Sequence, residues 1–502
     1  MAGLPAALAA GALSGAATAL AFPPHDVGLL AFFSLIPLAL VFRAGEPKHV
    51  AAAGAVFGLV FFGLLFPWIH LFGTAAYVLL VALEAALVVV FLLVGLLLRR
   101  RLPAGLTPLA FGAAFLAGEF VRSHGPLGGF PWGGLGYSQH NHPAILRLAA
   151  YTGVWGVSLL LATVNALLAD AVVAVRTAPA WALARLGLAA GLVLGPGLLP
   201  VPSPSGASVT LGLVQRPSPV GDPRLGSHQE QSLRSEAALT RTLAGRKIDL
   251  VVWPESSFDE DPLANPSLAG PLRQSIRDTG ASFVVGASVD APGPRFRNES
   301  LFIHPDGHFA ANYVKMHLVP FGEYVPGRRF LASWIHELDK VPADGVAGTS
   351  PTVFSLPTKN PNKNQGRFGT VICYETAYPE LVGAFVSRGA RMIVVSTNNA
   401  SYGRTAASAQ MVALSQLRAA EQRMWVAQSA LTGISAVIAP TGKVVEHTKL
   451  FATEVLTPTV RFATTRTVYG RFGDWLPAAV LLLAVIAVAA GPLRAEGRTR
   501  VP

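Results

Sequence analysis

The chain of 502 residues is short of cysteine, of methionine and above all of charge. It contains 1 cysteine and 5 methionines, and charged residues make up only 13% of it. One cysteine excludes an internal disulfide scaffold, a C-x-x-C redox motif and a zinc cluster built on thiolates. A charged fraction about half the roughly 25% of an ordinary globular domain argues against a soluble protein. Acidic residues are the scarcer sign, 28 against 39 lysines and arginines, which leaves a net charge of +11. The excess forms no basic stripe with interleaved aromatics, so nucleic acid is not indicated as a partner. No histidine pair has a third ligand at useful spacing, and His140 and His142 read as solvated loop residues. G-x-S-x-G, P-loop and dinucleotide fingerprints are missing as well. Neither a metal nor a cofactor is expected.

Apolar sequence is what the chain has in plenty. Hydrophobic residues reach 52%, and the mean hydropathy is +0.47. A bilayer core takes roughly 20 apolar residues per helix, and about eight runs qualify. They are Leu4–Phe22, Val27–Phe42, Val50–Leu71, Ala75–Leu98, Leu106–Phe120, Ile145–Val175, Trp181–Leu199 and Trp475–Leu493. Ile145–Val175 is long enough to tilt or to begin at the interface. Basic residues in the short loops orient the spans. Arg43 and Lys48 follow the second run, Arg99, Arg100 and Arg101 the fourth, Arg176 the sixth with Arg185 near that face, and Arg494, Arg498 and Arg500 the last. The loops "PPHD" and "FGT" carry no lysine or arginine, while Arg122 after the fifth run fits less well. The alternation puts both termini in the cytoplasm and the long segment between the seventh and eighth spans outside. The Ala-rich N-terminus lacks the basic n-region of a signal peptide.

From about Ser208 to about Tyr469 the character changes. "SVTLGLVQ", "IDLVVWPE", "ASFVVGAS", "GTVICYE" and "RMIVVSTNN" are short runs rich in Val and Ile that stop at polar residues, as strands do. Between them, "SHQEQSLRSEAALTRTLAG" and "SAQMVALSQLRAAEQRMWVAQSA" place apolar residues three and four apart, as helices do. "HPDG" and "APTG" each separate two strand-like runs as turns. A layered α/β domain follows. The expected organisation is a membrane domain over 1–203, a polar domain over 208–470 and a last span over 474–494. The Asn298 triplet in "RNES" is a glycosylation sequon of the kind that arises by chance.

Three polar groups stand where strand-like runs stop: Glu255, Lys315 and Cys373. Each has a plain explanation. A lone cysteine is often a small buried hydrophobe, a glutamate after Trp-Pro a solvated loop residue, and a lysine on a strand an edge guard. Together they make chemical sense. A thiol needs a base to become a thiolate at neutral pH and a cation to stabilise the anion. An unpaired thiol in an external domain, where cysteines usually pair, is accounted for by a nucleophile.

The three segments also carry a resemblance. "VVWPES", "YVKMHLVPFGEYVP" and "VICYE" resemble the glutamate, lysine and nucleophile motifs of the carbon–nitrogen hydrolase (nitrilase) superfamily. Together with the helices on both sides, "GGFPWGGLGYSQ" at Gly128–Gln139 and "RAAEQR" at Arg418–Arg423, the whole chain resembles the membrane branch of that superfamily, the apolipoprotein N-acyltransferases. The resemblance implies a polytopic helical membrane protein with an extracytoplasmic α/β/β/α sandwich. It implies a Glu255–Lys315–Cys373 triad that transfers an acyl group from a phospholipid, through a thioester on the cysteine, to the N-terminal amine of a diacylglyceryl-apolipoprotein. It places the protein in the cytoplasmic (inner) membrane with its catalytic domain in the periplasm, and a monomer is expected. Glu323 is implied to support the lysine and the lid, Tyr374 to offer its backbone N–H to the oxyanion, and Glu375 to shape the pocket; either glutamate could equally be a structural ion-pair partner. Phe321, Tyr324, Asn398 and Tyr402 are candidates for lining the acyl pocket. Phe330 and Trp334, within "PGRRFLASWIHEL" and beside Arg328 and Arg329, suit an interfacial lid or an ordinary packed helix. Two segments depart from the family pattern: "VQRP" at Val214–Pro217 stands for V-Q-G-N, and "NNASYG" at Asn398–Gly403 for N-D-A-W-F-G. Two other functions share parts of this reading. A tethered amidase or nitrilase would use the same triad on water. A transporter or receptor would explain the charges Glu84, Glu119 and Asp170 inside the spans.

Overall fold

The computed structural model describes residues 3–217, 229–265, 267–328, 343–357 and 366–490. The chain divides into two compact units, Met1–Pro200 with Phe472–Pro502, and Val201–Arg471.

The first unit is helical. Its helices are α1 (Leu4–Ala19), α2 (Ile36–Ala44), α3 (Pro47–Leu65), α4 (Thr74–Arg101), α5 (Thr107–Arg122), α6 (Ala149–Ala174) and α7 (Pro179–Leu194), besides the C-terminal Trp475–Ala490. Among the described residues, five helical stretches are long and apolar enough to cross a membrane: Pro47–Leu65, Thr74–Arg101, Ala104–Arg122, Ala149–Ala174 and Pro179–Leu198. Leu79 and Leu183 on these helices, and Leu13 of α1 and Val485 of the C-terminal helix, are exposed, as side chains that meet lipid are. The expected run Val27–Phe42 is not one helix: a 3-10 turn, Gly28–Phe32, precedes α2. The expected run Ile145–Val175 is also interrupted, because Gly153 within α6 has φ 68 and ψ −173.

Of the acidic groups inside this unit, Glu84 and Asp170 are ion-paired and Glu119 is hydrogen-bonded to backbone. Arg122 Nη1 lies 3.3 Å from Glu84 Oε2, and both side chains are buried. The same nitrogen donates to the carbonyls of Phe130 at 3.0 Å and Trp132 at 2.8 Å. Glu119 Oε1 accepts from the Leu135 N–H at 2.7 Å. These groups pin the Gly128–Gln139 segment between helices, where an unsatisfied backbone would be expensive. Gly133 in that segment has φ +75, and a Cβ there would fall 2.5 Å from Leu65. Asp170 meets Arg43 at 2.8 Å and Arg185 at 3.6 Å. Arg122, the misfit of the loop pattern, is thus an internal ion-pair partner. His140 is not solvated: it is buried, with Nε2 3.2 Å from Asp26 Oδ1 and Nδ1 3.0 Å from the Tyr137 carbonyl.

The second unit has two sheets. Its strands are β1 (Ser208–Gln215), β2 (Leu250–Val252), β3 (Ser282–Ala291), β4 (Arg295–Ile303), β5 (Phe309–Val314), β6 (Asp344–Gly345), β7 (Val353–Ser355), β8 (Arg367–Ile372), β9 (Ile393–Asn398), β10 (Val426–Leu431), β11 (Ala436–Ile438), β12 (Val444–His447), β13 (Glu454–Leu456) and β14 (Thr459–Arg461). One sheet runs β13-β1-β2-β3-β4-β5, with β14 on β1 and β6 on β4; the other runs β12-β11-β10-β9-β8-β7. The "HPDG" and "APTG" turns close the antiparallel pairs β4–β5 and β11–β12.

Helices α8 (Gln229–Arg241) and α9 (Gly270–Thr279) cover the first sheet. Leu233 and Ala237 of α8 and Leu272 and Ile276 of α9 join a buried cluster with Val251, Trp253, Phe283 and Val285. Burying each large apolar side chain contributes about 1.5–3 kcal/mol, which outweighs the modest propensities of such short helices. Helices α10 (Pro379–Ser387) and α11 (Ala407–Gln422) cover the second sheet against β8, β10 and β11. Between the sheets, Phe302 packs on Phe354 and Phe368, and the Ser429 hydroxyl reaches the carbonyls of Val214 at 3.0 Å and Val252 at 3.3 Å. The result is an α/β/β/α sandwich.

Candidate active site

Strand ends bring the three singled-out residues together. Glu255 follows β2, Lys315 follows β5, and Cys373 follows β8. All are buried: Glu255 is 5% exposed, Lys315 1% and Cys373 6%. Lys315 Nζ donates to Glu255 Oε1 at 3.2 Å and to Glu323 Oε1 at 2.8 Å. The sulfur feels the charges of Glu255, Lys315 and Glu323.

Each group is held from several sides. Asn298, in the middle of β4, donates its side-chain amide to Glu255 Oε1 at 2.7 Å and to Glu323 Oε1 at 3.0 Å. Glu255 Oε2 accepts the backbone N–H of Asn398 at 2.7 Å. Glu323 Oε2 accepts the Val319 N–H at 2.8 Å, so the "PFGE" turn aims its own carboxylate. The turn after Glu255 fits because residue 286 is glycine. A Cβ there would lie 2.5 Å from the Pro254 carbonyl oxygen and 2.6 Å from Glu255 Cα.

Cys373 sits at the turn from β8 into the 3-10 stretch Cys373–Ala377, with φ +51. A non-glycine residue there is strained by about 1–3 kcal/mol, and such strain gathers at functional positions. Glu375 holds the bend. Its Oε1 accepts from the Tyr313 hydroxyl at 2.8 Å, the Met316 N–H at 2.6 Å and the His317 N–H at 3.0 Å, and its Oε2 from the Ile372 N–H at 2.8 Å. One buried carboxyl thus ties the end of β5, next to Lys315, to the Cys373 turn.

The electrostatics favour a neutral thiol at rest. Burial, helped by the Glu255 charge and opposed by Lys315, pushes Cys373 up to about 12. Burial works against the Lys315 ammonium, but Glu255, Glu323 and Cys373 hold it well above the ordinary lysine value. Burial also raises Glu375 to about 7 against the donors that favour its ionised form. One ammonium faces two carboxylates, so a thiolate would add a second unbalanced negative charge. Passing the thiol proton to Glu255 leaves the net charge of the cluster unchanged, which removes most of that obstacle. The Thr397 hydroxyl hydrogen-bonds the sulfur and lies 2.7 Å from Asn399 Oδ1. A hydroxyl has one proton, so with a neutral thiol it serves Asn399 and accepts from sulfur; with a thiolate it can turn.

The remaining sequence candidates fall in three groups. Tyr374 and Tyr402 are buried, and Tyr402 is coupled to the charges of Cys373, Lys315 and Glu255. Phe321 and Tyr324 are half-buried on the "PFGE" turn, with the Phe321 N–H 2.7 Å from the Tyr324 carbonyl. Asn398 donates its backbone N–H to Glu255 Oε2, while its side chain accepts from the Ala400 N–H. Phe330 and Trp334 lie outside the described residues. Asn298 was missed as a site residue because the only signal read at "RNES" was a sequon. Its neighbours in β4, Arg297, Glu299 and Ser300, are polar, so no local pattern set it apart; its burial among carboxylates is visible only in the fold.

Comparison with known proteins covers the chain in two segments. The model of the apolipoprotein N-acyltransferase N-terminal domain matches residues 14–167, and that of carbon-nitrogen hydrolase matches residues 210–469. An apolipoprotein N-acyltransferase of Geobacter metallireducens is 31% identical over 484 residues, 92% of this chain and 91% of that one. One from Azotobacter vinelandii is 32% identical over 503 residues, 95% and 93% of the two chains. Among solved structures, an amidase from Nesterenkonia sp. matches 57% of this chain and 99% of its own at 18% identity and a TM-score of 0.39. A carbon–nitrogen hydrolase superfamily protein from Xanthomonas campestris matches 58% and 100% at 21% identity and a TM-score of 0.39.

Proposed function

The chain belongs to the apolipoprotein N-acyltransferase family, and on that premise we propose that it N-acylates the diacylglyceryl-cysteine of apolipoproteins through a thioester on Cys373. The observation that carries the mechanism is the buried Lys315 ammonium bonded to both Glu255 and Glu323 beside the sulfur.

Glu255 is the general base. It takes the Cys373 proton as sulfur attacks the acyl ester of a phospholipid. Lys315, with the Tyr374 N–H, stabilises the oxyanion of the tetrahedral intermediate. The C–O bond breaks, the proton passes from Glu255 to the leaving oxygen, and lysophospholipid departs. The α-amine of the acceptor then attacks the thioester while Glu255 removes its proton. The C–S bond breaks, and the proton returns to sulfur as the amide forms. A covalent intermediate of this kind gives ping-pong kinetics. Glu323 keeps Lys315 in place, and Glu375 keeps the nucleophile turn in place. Phe321, Tyr324 and Tyr402 line the acyl pocket, and Asn398 holds the base.

The same reading assigns residues 208–470 as the catalytic domain on the periplasmic side of the inner membrane. It assigns about eight spans within 1–203 and 474–494, both termini in the cytoplasm, and a monomer. The pairing of Glu84 with Arg122 and of Asp170 with Arg43 supports a scaffold over a transport path.

The test is intact and peptide mass spectrometry of the full-length protein after exposure to phospholipid, followed by a diacylated lipopeptide. An acyl adduct on the peptide holding Cys373 that is discharged to the lipopeptide amine supports the reading. Release of free fatty acid with no acylated lipopeptide makes the protein a hydrolase instead.

A further inference from the structure

Helix α8 buries a stripe of Leu233, Glu236, Ala237 and Thr240. Leucine, alanine and a threonine bonded to the Trp253 indole are ordinary core residues. The glutamate is not, and it is completely buried. Its Oε1 accepts from Arg216 Nε at 3.0 Å and from the Ser257 hydroxyl at 3.1 Å. Ser257 also lies 2.8 Å from the Pro254 carbonyl. The two serine contacts therefore bracket the Glu255 turn, in which Ser256 has φ +58. Arg216 reaches the base from the other side too. Its carbonyl accepts the Thr432 N–H at 3.0 Å, and the neighbouring Leu431 carbonyl accepts the Asn399 N–H at 3.1 Å. Asn399 follows Asn398, whose N–H holds Glu255 Oε2.

We propose that Arg216 and Glu236 are positioning residues that hold the Glu255 turn and set the reach of the base toward Cys373. The inference rests on the reading of Glu255 as general base. Stability does not account for the pair. Glu236 Oε2 meets no donor among the described residues. Buried ion pairs can often be exchanged for apolar residues of similar volume at no loss of stability. What an apolar pair cannot supply is the polar link from Arg216 through Glu236 to Ser257, whose hydroxyl would then be left with the Pro254 carbonyl alone. Arg216, in the "VQRP" segment at the end of β1, faces the Glu236 carboxylate of α8 with both side chains buried.

The experiment uses full-length wild type, E236A, E236Q and R216M/E236L in detergent micelles with a fluorescent phosphatidylethanolamine as donor. It reads the rate constant of Cys373 acylation, the half-saturating donor concentration and the melting temperature. E236A is expected to slow acylation about 10-fold or more while half-saturation moves by less than about 2-fold. E236Q, which keeps an acceptor oxygen, is expected to regain most of the rate. R216M/E236L is expected to melt near the wild type yet acylate slowly. Wild-type acylation in R216M/E236L, or an E236A defect confined to half-saturation, overturns the inference; should E236A not fold, E236Q and R216M/E236L decide it. If the wild type forms no adduct, the acyl-enzyme reading falls and takes this inference with it; adduct in the wild type with unchanged variants overturns this inference alone.

Discussion

The side-chain amide of Asn298 donates to Glu255 Oε1 at 2.7 Å. The same nitrogen reaches Glu323 Oε1 at 3.0 Å, so one neutral group, together with one ammonium, separates the buried Glu255 carboxylate from the half-buried Glu323 carboxylate. Asn298 is only 6% exposed, so its place in a sequon is incidental.

Replacing Asn298 with Ala removes a donor from both carboxylates. Acyl-enzyme formation is expected to slow by about 10–100-fold, because a base misplaced by about 1 Å loses that order of rate. N298D adds a third carboxylate and is expected to be worse. Time-resolved mass spectrometry of the Cys373 adduct checks both; equal rates in N298A and wild type count against the role.

Lys315→Met leaves Glu255 and Glu323 facing each other without their cation. Breaking a buried ion pair by removing one partner costs about 3–5 kcal/mol. That corresponds to a drop in melting temperature of about 10 °C for a domain of this size, alongside loss of the adduct. Differential scanning fluorimetry of the full-length protein measures the first. A melting temperature unchanged to within about 2 °C would place the ammonium in water rather than in the cluster.

Alkylation of resting Cys373 by iodoacetamide reports its thiolate. Because burial holds the thiol near 12, labelling at neutral pH is expected to be slow and to rise about tenfold per pH unit through the alkaline range. A rate that levels off near neutrality would mean a preformed thiolate and remove the need for Glu255 as base.

Glu236 and Glu375 are raised from 4.5 to about 7 by burial. A folded state that binds protons more tightly than the unfolded chain gains stability from them below about pH 4.5 and loses it as pH rises through about 7. The melting temperature of the wild type should therefore fall between about pH 5 and pH 8, and that of E236Q should fall less. Parallel profiles would contradict the raised value for Glu236.

Two glycines should behave oppositely. Gly286→Ala drives a methyl into the Pro254 carbonyl and Glu255 Cα and is expected to abolish acylation. Gly383→Ala, inside α10 with open space around it, is expected to raise stability by up to about 1 kcal/mol with activity unchanged. Melting temperatures and adduct yields of the two variants give the comparison.

Much of this was readable along the chain because it depends on local pattern. "SVTLGLVQ" is β1 residue for residue, since a β-branched apolar run that ends in polar residues has few alternatives. The "HPDG" and "APTG" turns are hairpin turns for the same reason. Long uncharged runs became helices because backbone groups in an apolar setting must bond within their own segment. Boundaries were less legible. The break between Gly28–Phe32 and α2 and the kink at Gly153 come from packing and from one glycine's φ, and hydropathy averages over both.

From sequence alone came the membrane character, the α/β polar segment and the three side chains, Glu255, Lys315 and Cys373, that the fold brings together. Residue type and local period carry those. The partners of each group were decided by the tertiary structure. It turned a sequon asparagine into the bridge between two carboxylates, intramembrane charges into internal ion pairs, and a helix glutamate into a brace under the base. Such contacts join residues 43, 38 and 21 positions apart in Asn298–Glu255, Arg122–Glu84 and Ser257–Glu236, and no local period encodes them. Burial then sets their chemistry, because charge in a low dielectric is governed by whatever the fold brings beside it.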